Sequence, residues 1–193
     1  MKIVCIGDSL TFGYGVSRYE NWLHLINNRN TMEAINKGIN GDTTAGMIFR
    51  FYEDVVLNNP EYAFIMGGTN DFLMNCSVNY VKENIRELIT EAKKEKMKVI
   101  LGIQPPIISH LANAYWQSGD NYDEINLKLN EYRNWVVDFA NSNKIMYIDF
   151  YKEFTHYLNK VNEEVLYIDG IHPTPKGQEI MADLFIKTLL FEI

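Results

Sequence analysis

Little in this chain would staple, anchor or strongly charge it. Two of its 193 residues are cysteine. Cys5 sits inside an apolar run and Cys76 follows an Asn-Asp turn, so neither a disulfide framework nor a cysteine-ligated metal site is spelled out, and a reducing compartment is expected. There are five prolines, no internal repeat and no low-complexity tract, so nothing divides the chain and a single domain over residues 1–193 is expected. No apolar run approaches the ~20 residues that cross a bilayer. The few apolar residues before Gly7-Asp8 are too short for a signal peptide, which gives the expectation of a cytoplasmic protein without a membrane span.

Cations are scarce too. Eighteen Lys and Arg face 25 Asp and Glu, for a net charge of -7 and a pI near 5.1. A nucleic-acid backbone or an anionic membrane would be repelled. The one basic cluster, Lys93, Lys94, Lys96 and Lys98, is interrupted by Glu95 and reads as the solvated end of a helix. Gly13-Tyr14-Gly15 has neither the Gly-Lys-Ser/Thr of a phosphate loop nor a Gly-x-Gly-x-x-Gly frame. A Gly-x-Ser-x-Gly elbow is missing as well, because Thr11 stands where its second glycine would be.

What the chain does have is apolar material, 47% of its residues, enough for one core. Five apolar runs read as strands: Lys2–Ile6, Met32–Asn36, Tyr62–Met66, Lys98–Ile103 and Ile145–Asp149. Between and after them, Glu20–Asn28, Thr44–Leu57, Val78–Glu95, Tyr122–Asn141 and Pro175–Phe191 have helical periodicity. In the third helix Val81, Ile85, Leu88, Ile89 and Ala92 make the apolar stripe. Thr174 as cap and Pro175 in the first turn announce the last helix just after His172. Alternating strands and helices with right-handed crossovers predict a three-layer α/β domain on a parallel sheet. Ligands of such domains bind beyond the carboxyl ends of the strands, where Ser9, Gly41, Asn70 and Gln104 all fall.

The chemistry-bearing residues cluster at these positions. Ser9, in Gly7-Asp8-Ser9-Leu10, follows the first strand. A serine hydroxyl attacks an ester at neutral pH only if a base takes its proton. His172 is the candidate base, and Asp169, three residues earlier in Asp169-Gly170-Ile171-His172-Pro173, can hold its other ring nitrogen. Donors for a tetrahedral oxyanion are offered by Gly41, whose N–H has no side chain in the way, by the Asn70 amide in Gly67-Gly68-Thr69-Asn70-Asp71, and by the N–H of Ser9. His24 and His110 lack acidic or cysteine neighbours at metal-ligand spacing, and no metal site is expected. His156 competes with His172 for the base role but has no acid at the same spacing. The methionines are scattered and read as core filler.

These blocks, Gly7–Leu10, Asn36–Thr43, Gly67–Asp71 and Asp169–Pro173, occur in the order found in the SGNH, or GDSL, hydrolase family, and the chain resembles its small single-domain bacterial members over nearly its whole length. The resemblance implies a flavodoxin-like three-layer fold and hydrolysis of esters or thioesters without a cofactor. Ser9 would be the nucleophile, His172 and Asp169 would complete the triad, and Ser9, Gly41 and Asn70 would donate to the oxyanion. The thioesterase–lysophospholipase and carbohydrate-esterase branches differ in substrate, and the blocks do not choose between them.

Substrate contacts are expected from Asp8, Gln104, Tyr115 and Trp116, with Phe12 and Tyr14 nearby to stack on a sugar or line an acyl tunnel. The stretch Gln104–Asp120 is the longest without clear periodicity, so it is expected to be an irregular binding or packing loop with Trp116 buried. Two functions from different classes follow. One is a serine esterase or acylhydrolase acting on a small-molecule ester or thioester. The other is a noncatalytic ligand-binding module of the same architecture, which would turn over no ester.

Overall fold

The computed structural model describes residues 1–29 and 32–192. In chain order the elements are β1 (Lys2–Gly7), α1 (Ser9–Phe12), α2 (Trp22–Arg29), β2 (Glu33–Gly38), α3 (Thr44–Asp54), a 3-10 turn (Val56–Asn58), β3 (Tyr62–Met66), α4 (Thr69–Leu73), α5 (Val78–Lys94), β4 (Lys98–Ile103), α6 (Ser109–Trp116), α7 (Tyr122–Asn143), β5 (Met146–Asp149), α8 (Phe150–Leu158), α9 (Glu163–Leu166) and α10 (Pro175–Glu192). The strands pair in the order β2-β1-β3-β4-β5, all parallel. Because the order reverses at β1, the loops leaving β1 and β3 part there and open a crevice at the carboxyl end of the sheet.

The β period of two divides the core cleanly. Val4 and Ile6 pack with Ala63, Ile65, Val99 and Leu101 beneath α3, α5 and α7, while Ile3 and Cys5 pack with Phe64, Met66, Ile100 and Ile148 beneath α2, α8 and α10. Strands covered on both faces read as continuous apolar runs, which is why they were legible. On the second face Trp22, Phe64, Phe150 and Phe185 meet with ring centroids 5.4–6.5 Å apart. Trp22 is fully buried there, and its Nε1 donates to Leu10 O at 3.1 Å. The core thereby reaches directly into the turn that carries Ser9.

Boundaries differ from expectation where side chains override periodicity. β2 begins at Glu33 and runs on through Lys37 and Gly38, because these pair with Ile6 and Gly7 of β1. β5 begins at Met146 instead of Ile145. α2 starts at Trp22, since Asn21 Oδ1 accepts from Leu23 N at 2.9 Å and caps it. α3 ends at Asp54 and passes into the 3-10 turn. The stretch expected to be irregular contains α6, whose start is held from afar: Ile108 N donates to Gly170 O at 2.8 Å. Gly170 has φ +87°, and a Cβ there would lie 2.5 Å from Ala112 N, so only glycine lets the loop before His172 lie against α6. Trp116, expected to be buried, is 38% exposed. Among the described residues no helix is long and apolar enough to cross a membrane.

Candidate active site

Ser9 owes its position to a turn that is bonded on every side. Asp8 has extended backbone and caps α1, its Oδ1 accepting from Leu10 N at 2.9 Å. The helix lasts one turn and stops at Gly13 in the left-handed region, so Ser9 stands at its start. The amide of Asn36, from β2, donates to Thr11 O at 3.0 Å, and that of Asn21 donates to Phe12 O at 3.0 Å, so the carbonyls at the end of this helix are taken up by side chains.

His172 Nε2 lies 2.9 Å from Ser9 Oγ, and His172 Nδ1 lies 2.7 Å from Asp169 Oδ2. The other Asp169 oxygen accepts from the backbone N–H of Ile171 at 2.9 Å and of His172 at 2.8 Å. Burial alone would raise this carboxyl, but the His172 ring and the two N–H groups hold it below the ordinary range, so it stays a carboxylate facing the imidazole. The ring is nearly covered: Tyr14 packs on it with centroids 4.4 Å apart and Trp116 with centroids 5.9 Å apart.

The expected oxyanion donors lie around the same opening. Gly41 has φ +76° and nothing within 4 Å of where a Cβ would stand, and it lines the crevice. Asn70 Nδ2 donates to Asp42 O at 2.9 Å, which ties α4 to the Gly41 loop and leaves the second N–H of that amide free of this bond. Asp71, fully buried, accepts from Thr44 N at 2.9 Å and from Thr44 Oγ1 at 2.6 Å at the start of α3.

Arg50, which sequence reasoning missed, braces the floor of the site. From α3 its guanidinium donates to Asp42 Oδ2 at 2.7 Å, Gly7 O at 2.9 Å, Lys37 O at 2.8 Å and Asp54 Oδ2 at 2.7 Å. Gly7 precedes the Ser9 turn and Asp42 follows Gly41, so one planar fork fixes both loops. The available signal was an arginine on a predicted helix four residues before an aspartate, a pattern that equally describes an exposed ion pair.

A cavity of about 300 Å³ opens on this assembly, lined by Ser9, Gly41, Asn70, His172, Tyr14 and Trp116 together with Leu73, Tyr122 and Ile171. Three expected substrate contacts do not line it, two of them because they are buried. Asp8 is fully buried among Asp42, Asp71 and its own helix start, and burial first, then the two neighbouring carboxylates, pushes its carboxyl up to about 7. Gln104 is also fully buried, under Gly68, where a Cβ would lie 3.3 Å from its Nε2. Both lie beneath the site, since the strand ends point them into the layer below. Tyr115 is 58% exposed and packs on Trp116 without lining the cavity. Phe12 lines a separate surface hollow between α2 and β2. His156, the rival base, is exposed on α8 and meets Lys160 Nζ at 2.7 Å. His24 meets Asn28, and His110 meets Glu163. Among the described residues no group of three His, Cys, Asp or Glu side chains is placed to hold a metal ion.

The chain is similar to an acetylxylan esterase of Geobacillus stearothermophilus, 25% identical over 83% of this chain and 74% of that protein. It is also similar to the thioesterase 1/protease 1/lysophospholipase L1 of Escherichia coli K12, 24% identical over 97% of this chain and 82% of that one. A solved member of the lipolytic protein G-D-S-L family from Veillonella parvula superposes with a TM-score of 0.83, at 25% identity over 97% of each chain. The model of the GDSL-like lipase/acylhydrolase family matches residues 5–180, nearly the whole chain, and the protein belongs to that family.

Proposed function

We propose that the protein is a serine acylhydrolase that cleaves carboxylic esters or thioesters through an acyl-enzyme on Ser9. One observation carries the reading: Ser9 Oγ, His172 and the Asp169 carboxylate form an unbroken hydrogen-bonded line that ends in an open cavity. His172 Nε2 takes the Ser9 proton as Oγ attacks the acyl carbon. The carbonyl oxygen becomes an oxyanion facing the N–H groups of Ser9 and Gly41 and the Asn70 amide, which need no reorganisation to receive it. The imidazolium, steadied by Asp169, then protonates the leaving oxygen or sulfur, and the ester or thioester bond breaks. Water, deprotonated by the same imidazole, attacks the acyl-enzyme and releases the acid, and the proton returns to Ser9.

Every step uses side-chain and backbone groups of this chain and water. Homologues named as esterases and a thioesterase support the reaction class. Hydrolysis of 4-nitrophenyl acetate by the wild type and its loss in Ser9→Ala test the reading. An organophosphonate should label Ser9. No turnover by the wild type would make the protein a noncatalytic ligand-binding module instead.

A further inference from the structure

Apart from His172, Asp120 is the one Asp, Glu, Lys, Arg or His residue that lines the cavity beside Ser9. Other partly shielded aspartates have partners. Asp42 and Asp54 engage Arg50, Asp149 engages Arg133, and Asp71 accepts from Thr44. The Asp120 carboxylate takes no hydrogen bond and no ion pair from the described residues. It is half-buried, and no lysine or arginine lines the cavity to balance it. An unpaired carboxylate on the wall of a reaction cavity offers acceptors only.

Its place relative to the chemistry follows from the triad. His172 must hand its proton to the departing atom, so the leaving group lies on the imidazole's side. Trp116 covers that side, and the chain continues from it through Gln117 (φ 49°) and Gly119 (φ 79°) to Asp120. Ser118, within this turn, lines the cavity and is held by a 2.9 Å bond between its Oγ and the Tyr122 hydroxyl, and Asn40 adds an amide to the lining. Leu73 and Ile171 add apolar lining to the same cavity.

We infer, on the basis of the acylhydrolase reading above, that Asp120 is a specificity-determining residue: with Ser118 and Asn40 it forms a leaving-group subsite for neutral, hydroxyl-bearing alcohols, and it turns away esters and thioesters whose leaving group carries phosphate or carboxylate. A hydroxyl of the alcohol donates to the carboxylate, while Trp116 and Tyr14 present ring faces to its C–H surface. A second anion in the same partly desolvated cavity meets like charge, and the chain's net charge of -7 opposes its approach. The subsite therefore selects acylated polyols over esters and thioesters with anionic leaving groups.

The test compares two acetate esters of one skeleton, 4-(hydroxymethyl)phenyl acetate and 4-acetoxybenzoate, on wild type, Asp120→Asn and Asp120→Lys. The readout is the ratio of their kcat/KM values in each protein, so the intrinsic reactivities of the two leaving groups cancel between proteins. The wild type should prefer the hydroxymethyl ester; Asp120→Asn should narrow that preference about fivefold and Asp120→Lys more than tenfold. In the wild type alone, raising sodium chloride to about 1 M should narrow it too, because salt screens the repulsion. A ratio that stays within about twofold across the three proteins, or a wild-type ratio indifferent to salt, would overturn the inference while leaving the esterase reading intact. Hydrolysis of neither ester by the wild type would instead overturn the acylhydrolase reading itself.

Discussion

The floor and the rim of the cavity are built in opposite ways. On the floor, Ser9, Gly41 and Asn70 sit on turns tied by side chains from elsewhere: Asn36 and Asn21 hold α1, Arg50 joins the end of β1 to the Gly41 loop, and Asp71 pins α4 to α3. On the rim, Tyr115, Trp116 and Ser118 are exposed, and the Asp120 carboxylate is unpaired. Reaction geometry tolerates little displacement, so the floor needs many bonds. A surface that chooses among alcohols needs free acceptors and ring faces, which bonds within the protein would consume.

This contrast can be broken most severely at the line from Ser9 to Asp169. Ser9→Ala and His172→Ala should each lower ester turnover by on the order of 10⁴-fold or more, and Asp169→Ala by less, because an imidazole without its carboxylate is only less well oriented and less able to carry charge. Circular dichroism should show Ser9→Ala folded as wild type. Substantial turnover in His172→Ala with none in Asp169→Ala would move the base elsewhere, with His156 next to be tried.

Losing one floor donor should cost less. Asn70→Ala should lower kcat by about 10²- to 10³-fold with little change in KM, and steady-state kinetics that moved KM alone would make Asn70 a ground-state binding residue. The brace beneath comes next. Arg50→Ala should reduce kcat by roughly 10- to 100-fold through displaced loops. Arg50→Lys should recover only part of this, since an ammonium cannot reach Asp42, Gly7 and Lys37 at once. A fall in melting temperature with kcat unchanged would reduce Arg50 to a structural ion pair.

The rim should respond in affinity. Trp116→Ala should raise KM several-fold, in the range of one lost apolar contact, and leave kcat comparatively intact. Measuring both parameters sharpens the contrast, and a kcat-only effect would assign Trp116 to support of the imidazole.

The mildest effect on catalysis is expected from Asp8, yet it changes stability with pH. Its carboxyl is raised from 3.8 to about 7 in the folded protein, so the native state holds its proton more tightly than the unfolded chain does. Stability should accordingly fall as pH rises from about 4 to about 7 and level off above, by an amount on the order of a few kcal/mol. Asp8→Asn keeps an acceptor for Leu10 N and should remove that component, read from urea unfolding across the same range. An unchanged pH profile would mean that Asp8 is ionised throughout.

The amino-acid sequence by itself determined the sheet and named residues that the fold brings together, Ser9, Gly41, Asn70, Asp169 and His172. Its strands are covered on both faces and so appear as unbroken apolar runs, and Ser9, Gly41 and Asn70 follow strand ends where a doubly wound sheet must present them, while His172 is marked by the cap and proline that open α10. The short helices escaped notice for physical reasons. α1 and α4 are single turns too short to show a period, and α6 is fixed by Gly170, over fifty residues away in the chain. α8 was readable in Phe150, Phe154 and Leu158, four apart, but Asp149 both ends β5 and caps the helix, so no turn residues announced it.

Only the tertiary structure decided which residues at the strand ends face the substrate. Position along the chain places Asp8 next to Ser9 and Gln104 after β4, but the direction of a side chain at a strand end depends on what packs around it, and here both turn inward. Arg50 and Asp120 show the same limit. A guanidinium acquires its role from three acceptors on other segments besides Asp54 on its own helix, and a carboxylate from having none, and neither circumstance is written in the residues beside it.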